Sequence, residues 1–481
     1  MSKAGGMLLM LLRATVRSKV ALAGAILLVL LFPVLLISIL VDLQGGIENP
    51  YFSFLIYLVL GPLALIAVVT VVTGVVLARR KGDRNLYNYE FLKEEFTIPG
   101  RYSRIRRFVY LSTILVSFCL FLLGVVAQTG YRYTNSTEFC GNFCHTVMSP
   151  ELITYQNSPH SRVPCVACHI GKYGEGQATA KLTGLRQLYA TVFDSHPRPL
   201  KTPLDSLRPS RETCEQCHRP EKFHGHKLYR FDSFLPDENN SHKQTALIMK
   251  IGSGGYQGRS AQGIHWHTSE KERLFYVTAD AARREIVKVV LRGDDGSTTT
   301  FFKEGGAGKA AGRPERLMDC IDCHNRPTHV FLSPNEALDQ QLLTRLIPKE
   351  LPFIKQQGLA AITAEYRSRE EAMEAIGGRL SAWYGTNYPE LTAEQPEMVE
   401  QAIRGTRQAY AENVFPEMGI RWETYRDFIG HRHGSGCFRC HDGSFRSPDN
   451  RVISRDCNLC HVIPGEDESI AQVLRAMGEE Q

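Results

Sequence analysis

Residues 138–169 read EFCGNFCHTVMSPELITYQNSPHSRVPCVACH. Two cysteine pairs stand here, each followed at once by a histidine: Cys140/Cys144/His145, with three residues between the cysteines, and Cys165/Cys168/His169, with two. Reading outward toward the C-terminus, the shorter form recurs at Cys214/Cys217/His218, Cys320/Cys323/His324, Cys437/Cys440/His441 and Cys457/Cys460/His461. Twelve of the thirteen cysteines are thereby placed. The remaining one, Cys119, lies in an apolar run, where a thiol is a small packing residue.

C-x-x-C-H is the attachment pattern of a c-type haem. Two thiols add to the two vinyl groups of one porphyrin, and the adjacent imidazole reaches the iron from the same side. Three rival chemistries fit less well. A thioredoxin-like dithiol needs one pair in a βαβ setting. A disulfide framework gives no reason for the histidine. Zinc suits the spacing of Cys437/Cys440 and Cys457/Cys460, but six histidines placed by chance after six pairs has odds on the order of 10⁻⁹. Six covalently bound haems c are expected, the sixth on the longer Cys140/Cys144 spacing.

The chain has 481 residues, 43% hydrophobic and 22% charged, which excludes a disordered chain. Its +6 net charge is uneven: residues 1–107 carry 13 basic and 6 acidic residues, and the remainder is near neutral. No basic domain or stripe suggests nucleic acid. Three apolar runs, about 20–41, 52–78 and 108–127, are each long enough to cross a bilayer as a helix. The first is too long for the apolar region of a cleaved signal peptide and lacks a small-x-small site before Asp42. Lys3, Arg13, Arg17 and Lys19 precede it, and nine bases fill residues 79–107, whereas residues 42–51 have Asp42 and Glu48 and no base. The positive-inside rule then puts the N-terminus in the cytoplasm and everything beyond residue 127 in the periplasm.

Ten histidines lie outside the motifs. Six haems can use at most six as second axial ligands, so several are ordinary; His196, His224, His226 and His242 are read as surface residues. Spacing favours His160, five residues before Cys165, and His329, five after His324. The pairs His265/His267 and His431/His433 are each expected to give one ligand, because alternate residues can face one site. His145 and Met148 compete for the first iron, and a thioether there would raise its potential.

Among the remaining residues, REIVKVVLRGDDGSTTTFF at 284–302 reads as two strands joined at Asp295-Gly296, with RLFYVTAD at 273–280 as a third. Apolar residues at helical spacing mark 335–347, 364–383 and 396–413. The expected organisation is a membrane anchor over 1–127, a haem region over 128–220 with three haems, an insertion over 221–319 with a small β module, and a C-terminal haem region over 320–481 with three more. The fold class is a multihaem cytochrome c: three transmembrane α-helices plus a mainly α/irregular periplasmic domain organised around haems.

A basic segment, a span, a haem motif with a nearby Met, then Ser158-Pro159-His160 and a second motif resemble the NapC/NirT/NrfH cytochromes. The likeness continues through KLTGLRQLYA at 181–190 and RPSRETCEQCH at 208–218. With GIHWH at 263–267, CIDCHNRPTH at 320–329 and CFRCHDG at 437–443, the longer layout resembles the larger inner-membrane cytochromes of metal-reducing bacteria, of the ImcH kind. The resemblance implies a quinol dehydrogenase that passes electrons from the membrane quinol pool, menaquinol included, to periplasmic c-type cytochromes or reductases in anaerobic respiration. It implies Met148 as a ligand of the first haem, His160 as a distal ligand of a later one, and a quinol site at Lys181, with Arg186 and Gln187 nearby. The chain departs from the pattern in its extra residue between Cys140 and Cys144, in Met148 standing three residues past His145, and in Gln187 where an acid is expected. A terminal reductase of nitrite or a sulfur oxyanion, or a relay subunit of a larger membrane complex, is the alternative, and a homo-oligomer is compatible with either.

Overall fold

The computed structural model describes residues 18–43, 55–80, 103, 110, 122–126, 128–143, 145–170, 175–204, 209–219, 222–223, 225–255, 261–432 and 434–462. Most of the apolar run at 108–127, Cys144, His224 and His433 lie outside the described residues, as do the side chains of His145 and Lys181. The chain divides into two compact units, Met1–His145 and Thr146–Gln481.

In the first unit, helix α1 (Lys19–Leu43) is followed by a π-helical turn (Leu55–Leu60) that runs into α2 (Gly61–Arg80). Among the described residues, Lys19–Ile39 is the one stretch long and apolar enough to cross a membrane; the apolar part of α2, Gly61–Gly74, is shorter. The two helices touch backbone to backbone. A Cβ on Gly74 would stand 2.3 Å from the Ala21 nitrogen, and one on Gly24 would stand 2.8 Å from the Ala67 carbonyl oxygen. Small residues at the seam allow this approach, which is how helices associate where no hydrophobic effect drives them together. The outward faces are apolar: Val29 is 72% and Leu30 65% exposed. Lipid, not water, suits such a surface.

Helix α3 (His145–Gln156) starts at the last residue of the first unit, and α4 (Glu175–Val192) follows in the second. Two antiparallel sheets follow. One has the order β1-β2-β8, from β1 (Lys227–Phe234), β2 (His242–Met249) and β8 (His461–Val462). The other has the order β6-β3-β4-β5-β7, from β3 (Arg273–Thr278), β4 (Ile286–Arg292), β5 (Thr298–Lys303), β6 (Arg316–Leu317) and β7 (Phe445–Arg446). The expected strands at 273–280 and 284–302 are thus β3, β4 and β5. Their turn closes where the Gly293 N–H donates to the Ser297 carbonyl and Gly296 adopts φ 81°. β1 and β2 were not anticipated: their buried positions do not alternate cleanly, so the period-2 signal is weak. The insertion also shares both sheets with residues 445–462, because the chain beside the last two motifs returns as β7 and β8.

The helical segment supplies the largest core. Helices α5 (Pro334–Leu343), α6 (Ile354–Ile362), α7 (Arg369–Asn387) and α8 (Pro396–Ala411) bury Leu338, Leu351, Ile362, Ile376, Leu380 and Ile403 together. A Ser333–Glu336 capping box starts α5, satisfying amide groups that the first turn leaves unpaired. Asn240 ties this core to the sheet region: its amide donates to the carbonyls of Lys349 (2.8 Å) and Leu351 (2.7 Å), and its oxygen accepts from the Lys355 N–H (2.9 Å).

Candidate haem centres

Each described C-x-x-C-H run is a single helical turn. The turns are Cys165–His169, Cys214–Gln216, Cys320–Cys323, Gly436–Arg439 and Cys457–Leu459. In three of them the histidine N–H donates to the carbonyl of the first cysteine: His218 to Cys214 at 2.8 Å, His324 to Cys320 at 2.8 Å and His441 to Cys437 at 3.1 Å. One turn places positions i, i+3 and i+4 on one side, so both thiols and the imidazole face a common plane. The described cysteines form no disulfides, which leaves their thiols available to two vinyl groups.

Second histidines from elsewhere in the chain stand near those of the motifs. Ring centroids of His169 and His329 stand 6.2 Å apart, His160 and His218 6.0 Å, His267 and His441 5.9 Å, and His431 and His461 6.2 Å. Two imidazoles on one metal, each with a metal–nitrogen bond of about 2 Å, have centroids about 6 Å apart. His324 has His265 and His218 as its electrostatic neighbours. Four of the five motifs from Cys165 onward therefore have a second imidazole ring about 6 Å from their own, and the Cys320 motif has histidines close enough to act on its imidazole electrostatically.

Four of these second histidines are held in one tautomer. Nδ1 of His160 donates to the Pro327 carbonyl (3.0 Å), that of His265 to Ile251 (3.0 Å), that of His267 to Ile264 (2.7 Å) and that of His329 to Glu151 (3.0 Å). A carbonyl only accepts, so Nδ1 carries the proton and Nε2 keeps its lone pair for a metal. Burial holds His169, His267 and His324 below the usual imidazole value and pushes His329 down to about 4. Neutral imidazole is the form that coordinates iron. These residues fit a haem c at each of the five motifs. Among the described residues no three His, Cys, Asp or Glu groups gather as a metal ion's cage would require.

His265 and His267 approach different motif histidines, whereas their spacing suggested one shared site. The reason is local: Ile264–Thr268 is a 3₁₀ turn. Alternate residues on a strand share a face, but with three residues per turn they diverge. His329 and His160 likewise cross over. His329 follows the fourth motif in sequence and faces the second; His160 precedes the second and faces the third.

The motifs are also neighbours in series. The Cys168 thiol feels Cys214 and Cys217, Cys320 feels Cys214, Cys440 feels Cys323, and Cys460 feels Cys437. Burial pushes the Cys323 and Cys440 thiols up to about 12. Between the fourth and fifth motifs lies a polar junction that sequence reading missed. Asp322, 2% exposed, accepts from Tyr276 Oη (2.6 Å), Arg316 Nε (3.0 Å) and Arg283 Nη1 (3.3 Å) at one carboxylate oxygen and from the Asp319 N–H (2.8 Å) at the other. Arg439, from the fifth motif, donates to the carbonyls of Asp322, Arg283 and Gly436. Both residues occupy the variable positions of C-x-x-C-H, and charges there were the available signal.

The quinol-site candidates lie on α4. Arg186 and Gln187 are exposed. Leu185, Tyr189, Val192 and Phe193 form an apolar stripe beside them, each more than 60% exposed. Met148 is half-buried on α3.

Paired histidines and single-turn cysteine motifs, in a chain that also carries an apolar N-terminal helix, define a membrane-attached multihaem cytochrome of electron transfer. The chain belongs to the NapC/NirT cytochrome c family, whose N-terminal-region model matches residues 103–203. Over 452 residues, 93% of this chain and 88% of its relative, it is 35% identical to the cytochrome c-type protein ImcH of Geobacter sulfurreducens. No solved structure matches. Membership brings covalently bound haem c as the family's redox group.

Proposed function

We propose that this chain is an inner-membrane quinol dehydrogenase that delivers electrons through six haems c to periplasmic c-type cytochromes or reductases. The observation that carries the reading is the serial adjacency of five motifs, with second histidines standing near those of the motifs. Bound haem c supplies a one-electron couple at each motif. His160/His218, His169/His329, His265/His324, His267/His441 and His431/His461 would fill both axial positions of five irons. Filled irons favour electron transfer over attack on a small oxidant, which argues against a terminal reductase.

Three spans would leave the basic N-terminus in the cytoplasm and the haem region in the periplasm. The domain limits of the sequence reading, with haems one to three before residue 220 and four to six after 320, complete this proposal. Oxidation of one quinol to quinone releases two electrons and two protons. The exposed stripe on α4 suits an amphiphilic ring, and Lys181 and Arg186 on the same helix are the basic candidates to bind its oxygens. Gln187 can hold a hydrogen bond there but cannot take a proton. The exit is assigned to the Cys437 and Cys457 motifs, at the far end of the series.

Stopped-flow reduction of the purified, detergent-solubilised chain by a menaquinol analogue tests the reading. Rapid reduction of the haem α-band without a partner is expected. Reduction by dithionite but not by quinol would overturn it and leave a relay that needs a separate donor.

A further inference from the structure

We propose that Arg439 holds the haems attached at Cys320/Cys323 and Cys437/Cys440 at the most positive potentials of the series, so that this pair stores the two electrons of one quinol. The inference rests on the reading of these two motifs as haem sites and, for the source of the electrons, on quinol oxidation.

Arg439 stands immediately before Cys440, and Asp322 immediately before Cys323. Arg439 is only 6% exposed. Its guanidinium donates from Nη2 to the Asp322 carbonyl, from Nη1 to the Arg283 carbonyl (3.0 Å) and from Nε to the Gly436 carbonyl (3.0 Å). One buried cation thus ties the attachment turn of the fourth motif to that of the fifth. The guanidinium carbon lies 3.9 Å from the centroid of the Phe428 ring. The charge reaches thiols of both motifs, acting on Cys323, Cys437 and Cys440.

The balance of charge at this junction is positive. The hydrogen bonds of Arg439 go to carbonyls, which are dipoles and not anions. Asp322, the buried carboxylate, is answered by Arg283 and Arg316. Asp319 and Asp442 are half-buried; Asp319 accepts from the Cys320 and Ser210 N–H groups, and Asp442 from Ser444. Charges nearer solvent are screened more than buried ones. The second motif differs, because buried Arg326 there has the Glu151 carboxyl as its first electrostatic partner.

An oxidised haem iron carries one more positive charge than a reduced one, so a buried cation favours reduction. Unit charges about 10 Å apart at an effective dielectric of about 20 change an equilibrium constant by about tenfold, which is about 59 mV for a one-electron couple. One quinol yields two electrons and two protons. The protons leave to water, and each of the two ferric irons takes one electron and becomes ferrous. A single turnover therefore fills the pair, which stays reduced until an acceptor oxidises it.

The test is an equilibrium redox titration of full-length holoprotein, followed at the haem α-band and by electron paramagnetic resonance, with haem counted by mass. Wild type is compared with Arg439→Gln, Arg439→Lys and Asp322→Asn. Arg439→Gln should lower the two most positive components, each by about tenfold in the ratio of reduced to oxidised haem at a fixed potential, and leave the others in place. Arg439→Lys keeps the charge and should retain the wild-type values. Asp322→Asn removes a negative charge from the same junction and should move the same two components the opposite way. A merely structural disturbance would move the Gln and Asn variants in one direction. No shift in Arg439→Gln, a shift confined to less positive components, a Lys variant that falls with the Gln variant, or shifts of one sign in Arg439→Gln and Asp322→Asn would overturn the proposal. If Arg439→Gln does not mature, Asp322→Asn decides, since an unraised pair there refutes it. A mass without haem at either motif would remove the haem reading and the proposal with it. Potentials that shift as expected in a chain that quinol does not reduce would overturn only the source of the electrons.

Discussion

Replacing Asp322 by alanine tests whether the junction between the fourth and fifth motifs holds this part of the molecule together. The wild-type carboxylate lies 1% exposed among two guanidiniums, a tyrosine hydroxyl and a backbone N–H. Removing one partner of a buried ionic group leaves the others unpaired, which costs about 3–5 kcal/mol. Asp322→Asn retains the shape and part of the hydrogen bonding, so a loss of about 1–3 kcal/mol is expected. Tyr276→Phe removes one hydrogen bond to a charged group, about 1.5–3 kcal/mol. Because Tyr276 and Asp322 lose the same bond, the double variant should fall short of the sum of the singles. Denaturant unfolding of the solubilised holoprotein, followed at the Soret band and by tryptophan fluorescence, gives the differences. A loss below about 1 kcal/mol in Asp322→Ala, or strict additivity in the cycle, would refute the reasoning.

Three shorter predictions accompany it. His267→Ala should leave His441 alone on its iron and yield one high-spin haem, read by magnetic circular dichroism; an unchanged spin state would remove His267 from the ligand set. Burial lowers the Lys355 pKa below its usual value of 10.5, partly offset by Asp339. The unfolded chain then binds more protons between that lowered value and 10.5, so this group makes stability rise with pH across that window. Lys355→Met should lack that rise when unfolding is compared at about pH 8 and about pH 10. Gly74→Val should force α1 and α2 apart, since even a Cβ would stand 2.3 Å from the Ala21 nitrogen, and membrane fractions should hold much less of the variant than of wild type.

Much of this molecule was legible locally. A C-x-x-C-H run completes its chemistry within one helical turn, so five residues suffice to announce an attachment site. An unbroken apolar run such as Val20–Ile39 announces a helix for lipid, and alternating β-branched residues announced β3 to β5. Spacing also singled out His160 and His329, because each lies within a turn or two of a motif. The assignment of partners was not legible. His160 meets His218, and His329 meets His169 across 160 residues of chain, so folding chooses the pair. The 3₁₀ turn at Ile264–Thr268 decides that His265 and His267 separate, since two residues advance differently along a strand and a 3₁₀ helix. Burial of Asp322 follows from the segments that bring Tyr276, Arg283 and Arg316 against it. Covalent attachment depends on near neighbours and is therefore written in sequence; coordination depends on which distant side chains converge, and only the tertiary structure decides that.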